Sequence, residues 1–317
     1  MGGIRVQVLI GTYGAGIWRL DTEKACAAQI AEAQDPSWLL RVGGDRLYVA
    51  EECLGEKQGR VALFVRKDGA WIRRCTVPSG GENPCHLACS ADGKWLAAAN
   101  YTSGSVALFP LDEAGTPGEP QIFPGHHGGP NAARQAGPHA HFVTFQPEGL
   151  LCCDLGADEL RRIVLTPDGW QEAAPLWTLP AGTGPRHFVR HGNRAYIVCE
   201  LSGELLTYAY PEGRRLTREH IADGAKGTAA ALRFGEDGRL YASHRGGDCV
   251  SIYELDASGL PRLALRTSSV GNWPRDVLPI PDGIVCACQK SGEAVLLRRQ
   301  SPAVRIAVPE PVGLCQE

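Results

Sequence analysis

The stretch Gly184-Pro185-Arg186-His187-Phe188, followed by the turn Gly192-Asn193 and the run Arg194-Ala195-Tyr196-Ile197-Val198-Cys199-Glu200, decides how the chain is read. Proline is tolerated at the first residue of a strand, where no ladder hydrogen bond is lost. Gly-Asn between two apolar runs is a tight-turn composition. Two antiparallel strands joined by a short turn bring the start of the first beside the end of the second. Arg186, His187 and Glu200 are therefore expected together at one edge of a sheet.

The unit recurs. Its leading motif returns as Pro36-Ser37-Trp38, Pro84-Cys85-His86, Pro138-His139-Ala140-His141 and Pro274-Arg275-Asp276, with Thr228-Ala229-Ala230 as a degenerate copy. Each copy is followed by a turn, among them Gly43-Gly44-Asp45, Ala91-Asp92-Gly93-Lys94 and Pro281-Asp282-Gly283. The next apolar run ends on a polar residue: Glu51, Asn100, Asp154, Glu200, His244 and Gln289. Copies are spaced roughly 40–55 residues apart, the period of a propeller blade of four antiparallel strands. The N-terminal run Val8–Tyr13, with Thr12 in the polar place, lacks a leading strand. The C-terminal run Pro311-Val312-Gly313-Leu314-Cys315 is a leading strand with no successor. The halves complete each other. The expectation is all-β: a seven-bladed β-propeller over residues 1–317, one domain, closed by pairing of the terminal strands so that no sheet edge is left open. Thr22 to Gln34 has a weak helical alternative, and strand–turn–strand fits the repeat better.

The 317 residues bury a large core. With 44% apolar and 21% charged residues the composition is that of a soluble globular protein. A net charge of −3 with no basic run speaks against nucleic acid or an anionic membrane as partner. No apolar stretch reaches the roughly 18 residues that span a bilayer. Met1 to Arg5 leads straight into a strand-like run, so no signal peptide is expected. The twelve cysteines form no C-x-x-C pair and no zinc spacing, and most lie inside strand-like runs. They read as small buried hydrophobes of a reducing, cytoplasmic compartment. Asn100-Tyr101-Thr102 matches the glycosylation pattern by chance.

In a propeller the leading motifs and the second-strand ends open at one face. That gathers Glu51, His86, Asn100, His139, His141, Asp154, Arg186, His187, Glu200, His244, Arg245, Arg275 and Gln289 at the mouth of a channel. The Gly/Pro/His-rich stretch from His126 to Gln135, with Arg134, is too long to be a plain connection and is expected to approach the same mouth. Three guanidinium groups converging there favour an anionic ligand. His86 and His187 have a bland alternative as hydrogen-bond partners of a neighbouring blade's backbone, Asn100 and Gln289 as bridges, Asp154 as a turn former. Glu200 beside Arg186 reads either as an ion pair or as an acid or base. His139-x-His141 on one strand would point both rings to one face and, with Asp154 or Glu200, would ligate a divalent ion; nothing else fixes a coordination geometry, and neither metal nor cofactor is expected. No nucleophile elbow or phosphate loop occurs.

Pro84-Cys85-His86, Ala99-Asn100-Tyr101, Gly129-Pro130-Asn131 with Arg134-Gln135, Pro138-His139-Ala140-His141, Cys153-Asp154-Leu155-Gly156-Ala157-Asp158, Gly184-Pro185-Arg186-His187 and Cys199-Glu200-Leu201 together resemble the seven-bladed lactonase family. That family includes propeller-type 6-phosphogluconolactonases and the carboxy-muconate lactonizing cycloisomerases. The resemblance covers essentially the whole chain. It implies lactone ring opening or closing without an obligatory metal, with acid–base and anion-binding roles for His141, Arg186, Glu200 and Arg245 or Arg275, and a small anionic lactone as substrate. The leading reading is hydrolysis of 6-phosphogluconolactone, in the pentose phosphate pathway. Under it His187 joins the catalytic group, while His86, Asn100, Arg134, Gln135, His139, Asp154, Arg245, Arg275 and Gln289 contact substrate. A cycloisomerase, a metal-dependent sugar lactonase and a non-catalytic binding platform are the alternatives. Thr228-Ala229-Ala230 and His244-Arg245 depart from the family's usual pattern.

Overall fold

The computed structural model describes residues 5–317 apart from 15, 225, 226, 269 and 300. Residues 1–4, on which the expectation of no signal peptide leans, lie outside the described residues. All regular structure among the described residues is β: seven sheets, each of four antiparallel strands. This is the blade count and strand count the repeat predicts. No helix is long and apolar enough to cross a membrane. Thr22 to Gln34 holds a turn and the strand Cys26–Ala31, so the strand–turn–strand reading prevails.

The chain divides into two compact units. One, Gln34–Arg186, holds the sheets led by Pro36–Val42, Pro84–Cys89 and Ala140–Gln146. The other comprises Met1–Ala33 and His187–Glu317. It contains the sheets led by Ala229–Phe234 and Pro274–Ile280, the sheet of the organising stretch (whose first strand, Pro185–His191, begins just before the boundary) and the shared terminal sheet. In that last sheet the C-terminal strand Pro311–Gln316 pairs antiparallel with Gln7–Thr12, Leu314 opposite Ile10. The chain ends are thereby stitched together by backbone hydrogen bonds, as the split repeat requires.

Within each unit neighbouring sheets pack face to face. Ala97, Ala99, Val106 and Leu108 of one sheet meet Val143, Leu150, Cys152 and Ile163 of the next in a single cluster. Small residues suit this arrangement because the two inner strands are covered on both faces; Trp95–Asn100 is buried at five of its six positions. The outermost strands, such as Ala70–Pro78, alternate towards solvent. The cysteines follow the same logic. All twelve are thiols and eight are buried. Burial pushes the Cys152 thiol up to about 12 and the Cys286 thiol well above its usual value, so these act as apolar side chains and not as nucleophiles.

Two backbone features recur where the leading strands start. The residue before the strand is left-handed in six copies: Asp35, Asn83, Gly184, Thr228, Trp273 and Glu310 all have positive φ. The strand then bulges. Pro36 pairs with Glu51 and Trp38 with Ala50, which leaves Ser37 extra; Cys85, Arg275 and Val312 are extra in the same way. In the sheet led by Ala140–Gln146, Ala140 pairs with Asp154 and Phe142 with Cys153, so the extra residue is His141. A bulge re-aims the side chain it carries and ends regular pairing.

Candidate functional site

The bulge corrects the alignment of the repeat. Ala140, not Pro138, stands where Pro84 and Pro274 stand, because each faces the end of its second strand: Asp154, Asn100 and Cys288. His141 therefore corresponds to Cys85 and Arg275, and by the shared Pro-start to Arg186. His86 corresponds to Phe142. His139 precedes the strand, so His139 and His141 are not alternate residues of one regular strand, and the two-histidine metal reading loses its geometric premise. Among the described residues no three His, Cys, Asp or Glu side chains group as metal ligands do.

The residue after the bulge has an architectural job. The Val143 N–H donates to His86 Nδ1 at 3.3 Å, and the His86 ring lies between Trp38 and Phe142 at centroid distances of 4.1 and 3.9 Å. In the other unit the Leu232 N–H donates to His187 Nδ1 at 3.4 Å. Asp276 fills the same place and accepts from the Leu314 N–H at 2.9 Å, with Arg233 on the same carboxylate. Three copies thus tie one sheet to the backbone of the next. For His86 and His187 the bland alternative is the one the geometry displays.

Glu51, Asn100, Asp154 and His244 close their second strands, whereas Glu200 and Gln289 lie one residue past theirs, beyond Cys199 and Cys288; all but Gln289 are buried. Most are spent locally. Glu51 holds Arg73 at 2.7 Å and the Gln34 N–H. Asn100 donates to Ser79 O and Ser105 Oγ. Asp154 accepts from the N–H groups of His139, Gly156 and Ala157 and faces Arg161 at 3.6 Å. Burial pushes the Asp154 carboxyl up, and those N–H groups and Arg161 oppose it. His244 takes the Gly247 N–H on Nδ1; burial, then Arg245 and Arg266, drive its pKa down to about 4, so the ring is neutral at pH 7. Gln135, offered as a substrate contact, is also internal: it donates to Leu155 O, accepts from Asn131 N and closes its own loop.

Glu200 differs. Its Oε2 meets Arg245 Nη2 at 2.7 Å, an arginine from the next sheet, and both side chains are at most one-tenth exposed. Arg245 is held in turn by Thr228 O and Ala229 O and lies over the Trp273 indole, 5.5 Å from its centroid. Arg245 was expected to hold an anion; its first partner is Glu200. Arg275, the bulge residue of the next sheet, is half-exposed and lies over the Tyr13 ring at 5.1 Å. Arg186 is buried at 3% exposure.

The unit Gln34–Arg186 assembles a second group. Tyr101, just past Asn100, stacks on His139 at 4.5 Å and meets the His141 ring edge-on at 5.6 Å. Arg134 Nη2 donates to the Tyr101 hydroxyl at 3.0 Å, and His139 Nδ1 lies 2.9 Å from Tyr101 O. The structure thus brings Arg134, His139 and His141 around an aromatic residue that sequence reasoning passed over. The strap that carries Arg134 is anchored by His126 on Glu172 and His127 on Glu159. Trp273 and Lys290, whose ammonium sits 3.4 Å from the Trp273 centroid, were also missed. A tryptophan placed directly before a leading proline was the available signal.

An all-β protein of seven repeated four-stranded sheets, with His, Arg and carboxylate side chains at the recurring strand ends, is a propeller with the makings of a polar active site. Residues 7–307 match the family model described as lactonase, 7-bladed beta-propeller, and the chain belongs to that family of enzymes. It is 30% identical to a 6-phosphogluconolactonase of Bacillus subtilis, over 96% of each chain. It is also 30% identical to a 6-phosphogluconolactonase of Formosa agariphila, over 82% of this chain and 80% of the other. Among solved structures, the Pseudomonas aeruginosa periplasmic gluconolactonase PpgL superposes with a TM-score of 0.89 at 26% identity, over 99% of both chains.

Proposed function

We propose that this protein hydrolyses the ester bond of a phosphorylated sugar lactone, 6-phosphogluconolactone being the substrate. The observation that carries the reading is the Glu200–Arg245 pair, a buried charge pair at the recurring strand ends of a lactonase-family chain. Lactone hydrolysis needs a base for the attacking water and a donor for the oxyanion that forms on the carbonyl. We assign the base to His141, whose ring meets Tyr101 edge-on. Glu200 shares its charge with Arg245, which suits it to orienting water more than to accepting a proton. Under this reading Arg186 is assigned to the oxyanion and Arg275 to the anionic tail, with Arg134 and His139 as further substrate contacts. His86, His187, Asn100, Asp154 and Gln135 hold the architecture. A cytoplasmic location accompanies this reading and suits twelve thiols.

The test is an assay on freshly prepared 6-phosphogluconolactone, corrected for spontaneous opening. His141→Asn and Arg186→Ala are expected to lower kcat by about 10²- to 10⁴-fold, the usual scale for a positioned acid–base group or oxyanion donor. Wild-type rates equal to those of both variants and of buffer would overturn the assignment.

A further inference from the structure

Trp273 is built into a rigid place. It takes a left-handed backbone, φ 63°, which costs a bulky residue free energy and persists only where its surroundings enforce it. Those surroundings are clear. Its N–H donates to Asp248 Oδ1 at 2.7 Å, Asn272 Nδ2 donates to Asp248 Oδ2 at 2.9 Å, and the Asn272 N–H donates to Ser291 Oγ at 3.1 Å. The Gln289 N–H donates to Trp273 O at 3.2 Å, which ties the indole to the turn that carries Lys290. Two cations approach this one ring, Arg245 and Lys290. Arg245 has Glu200 to answer its charge. Lys290 is exposed, and its only charged or polar interaction among the described residues is with the indole. Its three N–H donors remain available to a ligand, on a side chain whose freedom the aromatic face has already reduced.

We infer that Lys290, held on the Trp273 indole, recognises the phosphate monoester of the substrate and sets the preference for a phosphorylated over an unphosphorylated lactone. This rests on the lactonase reading above and adds to it the residue that reads the substrate's charge. An ammonium gives a dianion a compact charge and three donors. Its position on a ring shared with Arg245 couples it to the Glu200 pair without entering that pair.

The experiment compares wild type, Lys290→Met and Trp273→Leu on 6-phosphogluconolactone and on unphosphorylated gluconolactone, at low and high salt. In Lys290→Met the ratio of kcat/KM for the phosphorylated over the unphosphorylated lactone should fall about five- to tenfold, through KM, as loss of one charge-assisted contact implies. The salt dependence of KM for the phosphorylated lactone should fall with it. Trp273→Leu should move the ratio in the same direction by less. An unchanged ratio in Lys290→Met overturns the inference, whether both activities fall together or neither does. Calorimetric titration with inorganic phosphate separates this failure from that of the lactonase reading. If wild type turns over neither lactone, that reading falls, and weaker phosphate binding by Lys290→Met than by wild type still supports the role of Lys290, whereas equal binding sinks it.

Discussion

Asp154 and Glu200 stand one step apart in successive copies of one repeat, Asp154 closing its second strand opposite Glu159 and Glu200 just past Cys199, which faces Glu204 in the same way, and they do opposite things. Asp154 is turned inward on its own loop, capped by three N–H groups, with Arg161 as counter-charge. Arg161 is itself only 2% exposed and is shared with Glu172 and the carbonyls of Gly104, Phe123 and Pro124. Glu200 instead reaches an arginine of the adjoining sheet, beside an aromatic ring and a second cation. A repeat fixes where a side chain starts. What it does depends on which groups of the neighbouring sheet come within hydrogen-bond range, and those are not part of the repeat.

Substitution at the two positions should split stability from activity. Asp154→Ala strips a buried guanidinium of one counter-charge and three N–H groups of their acceptor, so it should cost about 3–5 kcal/mol of folding stability, read from denaturant unfolding. Glu200→Gln keeps an acceptor for Arg245 while removing its counter-charge, so it should cost less than Asp154→Ala, about 1–3 kcal/mol, while lactone turnover falls. Equal destabilisation by the two would erase the contrast between these positions.

The next comparison is between the bulge residue and the one after it. His187→Ala and His86→Ala each orphan a buried backbone N–H, at Leu232 and Val143, and should cost about 1–3 kcal/mol. Their kcat should stay far closer to wild type than that of His141→Asn. A collapse of kcat in His187→Ala at normal stability would return His187 to the catalytic group.

The smallest effect at neutral pH is one that emerges only on acidification. His244 is held neutral in the fold, with a pKa of about 4 against 6.5 for a free imidazole. Between those values the unfolded chain binds a proton that the folded chain does not, so this contribution is intact above pH 6.5 and stability drains away as pH falls towards 4. Asp248 opposes the shift and Arg245 and Arg266 reinforce it. His244→Asn should flatten the acid limb of the stability–pH curve by up to a few kcal/mol; an unaltered limb would show that His244 does not govern it.

The architecture was legible because it rests on local chemistry. A proline that starts a strand, a Gly/Asp/Asn turn and an apolar run ending on a polar residue are each decided within a few residues, and their period is counted along the chain. The split N- and C-terminal halves even prescribed the pairing of Pro311–Gln316 with Gln7–Thr12. The site was legible in position and not in role. A one-residue bulge moved His141 into register with Arg275 and left His139 outside the strand, and nothing in Pro138-His139-Ala140-His141 announces which residue pairs with Asp154.

From its own letters, then, the chain determined its period, its seven sheets and the side chains that stand at their ends, because turn geometry and strand burial act over short distances. Only the tertiary structure decided that Glu200 meets Arg245, that Tyr101 gathers Arg134, His139 and His141, and that Arg245 and Lys290 share the Trp273 ring. Those contacts join residues from different sheets or distant loops, and their geometry is set by how strand ends and loops pack in space, which no spacing along the sequence encodes.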